Sequence, residues 1–174
     1  MHFEGRTWVF GDNINTDLMY PNTSFRATEE ERRRLVFSAN RPGWSAEVRA
    51  GDILVGGINF GTGSGRPGAK YMKELGVVAL LAESINGLFL RNCVNYALPA
   101  MECPGISTLV TEGDTLVVDF RTGEVINRRT GQTRKAQVLP EMLREILEAG
   151  GVLQILAREG FIDLPGKTIP VTPA

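Results

Sequence analysis

Apolar residues fall into several different rhythms along this chain. Between residues 48 and 103 they come in short runs. "VRAGDILVGG" (48–57) turns at Ala50 and Gly51 and enters a short apolar strand. "VVALLA" (77–82) is apolar on both faces, as a strand inside a parallel sheet is, and "LPAMEC" (98–103) reads as a further strand. Between these runs the spacing lengthens. "AKYMKEL" (69–75) follows Pro67 and is closed by Gly76, while "ESINGLFLRNCVNY" (83–96) places Ile85, Leu88, Phe89 and Asn92 near one face, so both are predicted helices. Strand, helix, strand, helix, strand implies right-handed parallel crossovers. Upstream, "RTWVF" (6–10) is a first strand and "GDNINTDLMYP" (11–21) a long loop. "ATEEERRRLVFSAN" (27–40) is a helix opened by Thr28 and Glu31 at capping-box spacing, its charges forming a solvated face. From Thr108 the rhythm changes again. "TLVTEGDTLVVDF", "RTGEVIN" and "RTGQTRKAQV" are short strands between Gly-containing turns, which predicts an antiparallel section. "PEMLREILEAGGVLQILAREG" (140–160) reads as two short helices broken at Gly150 and Gly151, ahead of a proline-containing tail.

Length and composition narrow the picture. With 174 residues, 43% hydrophobic and 22% charged, residues 1–174 suit one well-cored domain and exclude a mostly disordered chain. Nineteen basic against twenty acidic residues leave a net charge of -1 and no basic stripe, so nucleic acid is not an expected partner. The longest apolar run is too short for a bilayer, and "MHFEGRTWVF" lacks the character of a signal peptide, so a cytoplasmic location without a membrane partner is expected. Cys93 and Cys103 match neither a disulfide framework nor a zinc or iron-sulfur ligand set and read as free thiols, with Cys93 as core packing. The single histidine, His2, lies at the terminus, where fraying is expected, which leaves no serine-histidine or histidine-metal mechanism within the chain.

The candidate chemistry lies in "NFGTGSGRPGAK" (59–70), where Gly61, Gly63, Gly65 and Gly68 surround Thr62, Ser64 and Arg66. Its spacing matches neither the Rossmann fingerprint nor the Walker loop, which makes phosphate binding a minor reading. Successive glycines let main-chain N–H groups converge into an anion nest, and such donors could stabilise Ser64 as a base without histidine. Arg66 offers a planar fork for a substrate carboxylate. A merely glycine-rich strand-to-helix turn is the competing reading of the loop alone. Arg26 is either a second positive charge for a dicarboxylate or a surface arginine. Asn59 and Thr62 either hydrogen-bond substrate or shape the turn, Asp17 could be an Asx-turn residue, and Met19, Tyr20 and Phe25 face either a partner or the core.

Taken in order, "GDNINTDLMYP", "GGINFGTGSGRPGA" and "ESINGLFLRNCVNYALPAMEC" resemble the swivel domain of the aconitase superfamily, most closely the separate small subunits of its isopropylmalate dehydratase and homoaconitase branches. The resemblance spans about residues 7–120 and also touches "EGDTLVVDFRTGEV". It implies an α/β fold of three layers, the swivelling β/β/α type. It also implies a hydro-lyase that moves a hydroxyl between neighbouring carbons of a malate-type hydroxy acid by dehydration and rehydration. By the same resemblance the catalytic base falls on Ser64, the carboxylate-holding arginine on Arg66 and an active-site aspartate on Asp17. A 4Fe-4S cluster with one open iron acts as Lewis acid in the family and is held by the large partner subunit, not by a chain of this kind. Alone, the chain is expected to be inactive; whether it self-associates stays open. The sequence departs from the family motif at Gly65, where a second serine stands, and at Pro67-Gly68, where Glu-His stands. Loss of that hydroxyl removes a substrate contact and opens space, so substrate choice is left open. The alternative reading is a non-catalytic carboxylate-binding or scaffold protein that keeps the swivel fold.

Overall fold

Ile53 and Val55 point to one side of their strand and Leu54 to the other, and all three are buried. Ala79 and Leu81 against Leu80 and Ala82 repeat the pattern on the next strand, so this part of the sheet is covered on both faces. The computed structural model describes residues 1–164; the proline-containing tail from 165 onward lies outside the described residues. Seven strands, β1 (His2–Val9), β2 (Ile53–Gly56), β3 (Ala79–Ala82), β4 (Ala100–Glu102), β5 (Thr115–Asp119), β6 (Glu124–Asn127) and β7 (Thr133–Lys135), form one sheet in the order β4-β3-β2-β1-β5-β6-β7. The β4-to-β1 half is parallel, with α4 (Gly68–Glu74) joining β2 to β3 and α5 (Gly87–Asn95) joining β3 to β4. The β1-to-β7 half is antiparallel, as the late turn pattern predicts.

The core divides accordingly. One cluster gathers Trp8, Phe10, Phe37, Trp44, Leu54, Tyr71, Leu80 and Phe89; the other gathers Ile53, Leu81, Met101, Leu116, Val118, Phe120 and Leu147. Each such side chain contributes about 1.5–3 kcal/mol when fully buried. Between β1 and β2 lie α1 (Thr16–Met19), a 3₁₀ turn (Asn22–Arg26), α2 (Glu29–Leu35) and α3 (Trp44–Glu47). After β4 comes α6 (Ile106–Leu109), and the described chain closes with α7 (Glu141–Glu148) and α8 (Val152–Arg158), broken at Gly150 and Gly151 with φ of 93° and 110°.

Several sequence expectations change. The first strand begins at His2, which pairs with Asp119, so the terminus is part of the sheet. The capping box of Thr28 and Glu31 is present, but the helix stops at Leu35 because Phe37 takes a left-handed φ of 57° and is fully buried, its ring stacked on Phe10 at 4.2 Å. Helix 83–96 starts only at Gly87: Asn86 caps it, and Ile85 instead bridges Phe60 in parallel. Residues 108 and 109 close α6 rather than opening a strand, since Ile106 and Leu109, three apart, are both buried. Cys93 and Cys103 are free and buried, and burial pushes the Cys103 thiol up to about 11. No helix among the described residues is long and apolar enough to cross a membrane.

The loops that leave β1 and β2 continue to pair beyond the strands. Gly57 N–H donates to the Gly11 carbonyl at 3.2 Å, Asn13 N–H to Ile58 at 2.8 Å, Gly61 N–H to Ile14 at 2.8 Å and Thr16 N–H to Thr62 at 2.6 Å. This zipper carries residues 11–17 and 57–64 side by side past the carboxyl ends of the parallel strands, where open α/β sheets place their sites.

Candidate active site

Backbone geometry explains most of the glycine loop. Gly61 and Gly63 have φ of 82° and 102°, and a Cβ on either would lie 2.3 Å from the Phe89 ring or 2.8 Å from Asn15 and Thr16. Gly68 sits beneath Met19, whose sulfur would be 2.9 Å from an added Cβ. Asn59 and Asn13 are also left-handed, at φ 60° and 55°, and Asn59 Nδ2 donates to Asn13 Oδ1 at 3.0 Å. Asparagine tolerates that region better than most side chains. Asn59 thus shapes the turn. Thr62 does the same through its carbonyl, which receives Thr16 N–H.

What this scaffold presents is a three-residue cluster. Ser64 Oγ donates to Asp17 Oδ1 at 2.8 Å, Arg66 Nε donates to the same oxygen at 2.6 Å, and Nε lies 3.0 Å from Ser64 Oγ. Asp17 is placed by the Asn15 cap, whose Oδ1 accepts Asp17 N–H at 2.7 Å, and Ser64 by Thr16, whose hydroxyl donates to the Ser64 carbonyl at 2.8 Å. The three residues expected to act together do therefore meet, and Ser64 and Asp17 are exposed.

Arg66 stands differently from its sequence expectation as a free carboxylate fork. It is 8% exposed; Nη1 donates to the Tyr20 carbonyl and Nη2 to Asn22 Oδ1, each at 2.8 Å, and the Phe25 ring lies 5.4 Å from the guanidinium carbon. Its positive charge is thus directed at Ser64 and Asp17. No main-chain N–H among the described residues donates to Ser64 Oγ, so the group beside that oxygen is a guanidinium rather than an amide nest. The N–H groups of Gly63, Ser64 and Gly65 have no acceptor among the described residues, in a stretch where all three residues are exposed. Arg26 ends the 3₁₀ turn, is exposed and donates to no acceptor among the described residues. Sequence reasoning misses Asn22 and the Tyr20 carbonyl; an Asn directly after Pro21, which ends the aspartate loop, is their only local signal.

The Ser64 hydroxyl, and secondarily Arg66, hold the Asp17 carboxyl below its ordinary value of 3.8. The contribution of this ionised carboxylate to the folded state is complete above 3.8 and is lost as pH falls through the depressed value. An NMR titration of the Asp17 carboxyl is expected to give a midpoint below 3.8 that moves upward in Ser64→Ala. An unmoved midpoint would rule out the Ser64-to-Asp17 hydrogen bond.

Residues 10–104 match the model of the aconitase C-terminal domain. The chain belongs to that family. Among similar members of the aconitase C-terminal family is the isopropylmalate/citramalate isomerase small subunit of Methanocaldococcus jannaschii, 44% identical over 90% of this chain and 94% of the relative. The 3-isopropylmalate dehydratase small subunit of Aquifex aeolicus is 36% identical over 88% of this chain and 93% of its own length. A crystal structure of 3-isopropylmalate dehydratase from Methanocaldococcus jannaschii superposes with a TM-score of 0.84 at 29% identity, over 91% of this chain and 95% of that one. The fold is therefore the swivel type, and the chain is a small-subunit component of a hydro-lyase, which implies a large-subunit partner. Dehydratases of this family use a 4Fe-4S cluster. Both cysteines here are buried, and no three His, Cys, Asp or Glu side chains among the described residues come together as a metal-ligand set, so those residues do not fit the cluster as its holder.

Proposed function

We propose that this chain, as a single domain, supplies the proton-handling half of a dehydratase that isomerises an alkyl-substituted malate by dehydration and rehydration. The observation that carries this reading is the Ser64 hydroxyl held between a carboxylate and a buried guanidinium at the exposed end of the zipper. Ser64 is the base for the C–H proton beside a substrate carboxylate. Arg66 lowers the cost of negative charge on Oγ, because an adjacent fixed cation favours the deprotonated oxygen. Asp17 orients the hydroxyl but, with its own affinity for protons reduced, does not keep the serine's proton, which leaves to solvent as Arg66 stabilises the alkoxide that then takes the C–H proton.

The substrate carboxylates are received by Arg26 and by the N–H groups of Gly63, Ser64 and Gly65, the donors left without internal acceptors among the described residues. Leu18 in α1, Phe25 in the 3₁₀ turn and Ile58 in the second loop, exposed at 47%, 59% and 58%, supply apolar surface for the large subunit. The cluster ligands belong to that large subunit, and the pair acts in the cytoplasm. Mixing the purified chain with its family's large subunit, and following the unsaturated intermediate by ultraviolet absorbance, tests the reading. No turnover by the chain alone and turnover by the pair is expected; dehydration by the isolated chain, or none with any large subunit, would overturn it.

A further inference from the structure

Of the loop's glycines, Gly65 alone has no structural reason to be one. Its φ lies outside the left-handed region, and a Cβ built on it would meet only the two methyl carbons of Leu88, at 3.8 and 3.9 Å, which is ordinary contact. The backbone therefore tolerates a side chain here, whereas Gly61, Gly63 and Gly68 are each held by close neighbours. A glycine that neither turn nor packing requires, next in sequence to Ser64 and exposed, leaves open space beside the proposed base.

Leu88 borders that space, and its backbone is anchored. Its N–H donates to the Asn86 cap at 3.0 Å, and its neighbour Phe89, 1% exposed, is wedged beneath Gly61 and against the Phe60 ring at 5.8 Å. Leu88 itself stays 41% exposed although it lies in the first turn of a helix whose next residue is core. A leucine anchored at its backbone, standing over a glycine that packing does not require, makes one apolar wall.

We propose that Gly65 and Leu88 form the wall against which the alkyl substituent of the substrate lies, and that the missing side chain at position 65 sets how large that substituent can be. This rests on the dehydratase reading above. The substrate class is a hydroxy dicarboxylate with a branched aliphatic group, the carboxylates lying toward the loop N–H groups and the alkyl group toward Leu88.

The test compares kcat/KM for isopropylmalate and citramalate in the reconstituted complex. Gly65→Ala adds one methyl to the wall, and the ratio of the larger to the smaller substrate is expected to fall at least about tenfold, the size of effect one methylene produces in an apolar pocket. Leu88→Ala in the Gly65→Ala background restores the ratio toward wild type. The thermal midpoint of Gly65→Ala is expected to be no lower than that of wild type, since alanine fits this backbone. A ratio unchanged within about twofold, or a lowered midpoint, would overturn the proposal while leaving Ser64 as base. Absence of turnover of either substrate by the reconstituted wild-type complex would overturn the dehydratase reading instead.

Discussion

In the assembled enzyme, Ser64→Ala lowers kcat by about 10²–10⁴-fold, the usual contribution of a positioned general base, with the isolated chain as stable as wild type. The hydroxyl is exposed and bonded only to Asp17 and Arg66 among the described residues, so its removal leaves no buried group unsatisfied. Steady-state kinetics separate this from a binding role: a base acts in the transition state, so kcat falls while KM changes little. A Ser64→Ala complex within about tenfold of wild type would remove Ser64 from the mechanism. Ser64→Cys is expected to recover little, because a larger, softer atom does not occupy the same position between the carboxylate and the guanidinium.

Arg66→Met has the second large effect, and it strikes stability as well as rate. The tip of this side chain is buried among Asp17, Ser64, the Tyr20 carbonyl and Asn22. Methionine fills much of the volume but leaves the Tyr20 carbonyl and the Asn22 amide oxygen without a donor. The expected cost is about 1–3 kcal/mol, that of the one buried acceptor left unsatisfied, the Tyr20 carbonyl, since the exposed Asn22 can turn to water and the half-exposed Asp17 adds little. For a chain of this size that lowers the thermal midpoint by about 2–12 °C, readable by calorimetry. Turnover falls with it, because the positive charge beside Ser64 is gone. Arg66→Lys recovers only part of either loss: one ammonium cannot reproduce bonds that leave the guanidinium from Nε, Nη1 and Nη2. A stable Arg66→Met chain would show that the arginine is held less firmly than its four partners imply.

Parts of this were legible beforehand, for identifiable reasons. The parallel half of the sheet could be read because buried strands such as Ala79–Ala82 are apolar on both faces, and the antiparallel half because each of its turns carries a Gly, at 113, 123 and 131. Ser64, Arg66 and Asp17 could be nominated from motif resemblance, and they do meet. The role of Arg66 could not be read. Its partners Tyr20 and Asn22 lie 46 and 44 positions away, brought near by a loop-to-loop pairing that leaves no periodic trace in either segment. Helix ends failed where one residue reversed the local trend, as at Phe37, whose burial against Phe10 outweighs the strain of a positive φ. Leu88 was misplaced for a related reason. Helical spacing sets it near the face of Phe89, but the wedge beneath Gly61 admits only the phenylalanine.

The pairing of residues 11–17 with 57–64 sets how the enzyme comes together. Because the two segments that carry Asp17 and Ser64 are prolongations of the neighbouring strands β1 and β2, their spacing is inherited from the sheet. Docking then has little beyond the exposed turn Gly63–Gly65 to order, so more of the association free energy remains available to align substrate. A chain built this way behaves as a finished tool that another polypeptide picks up.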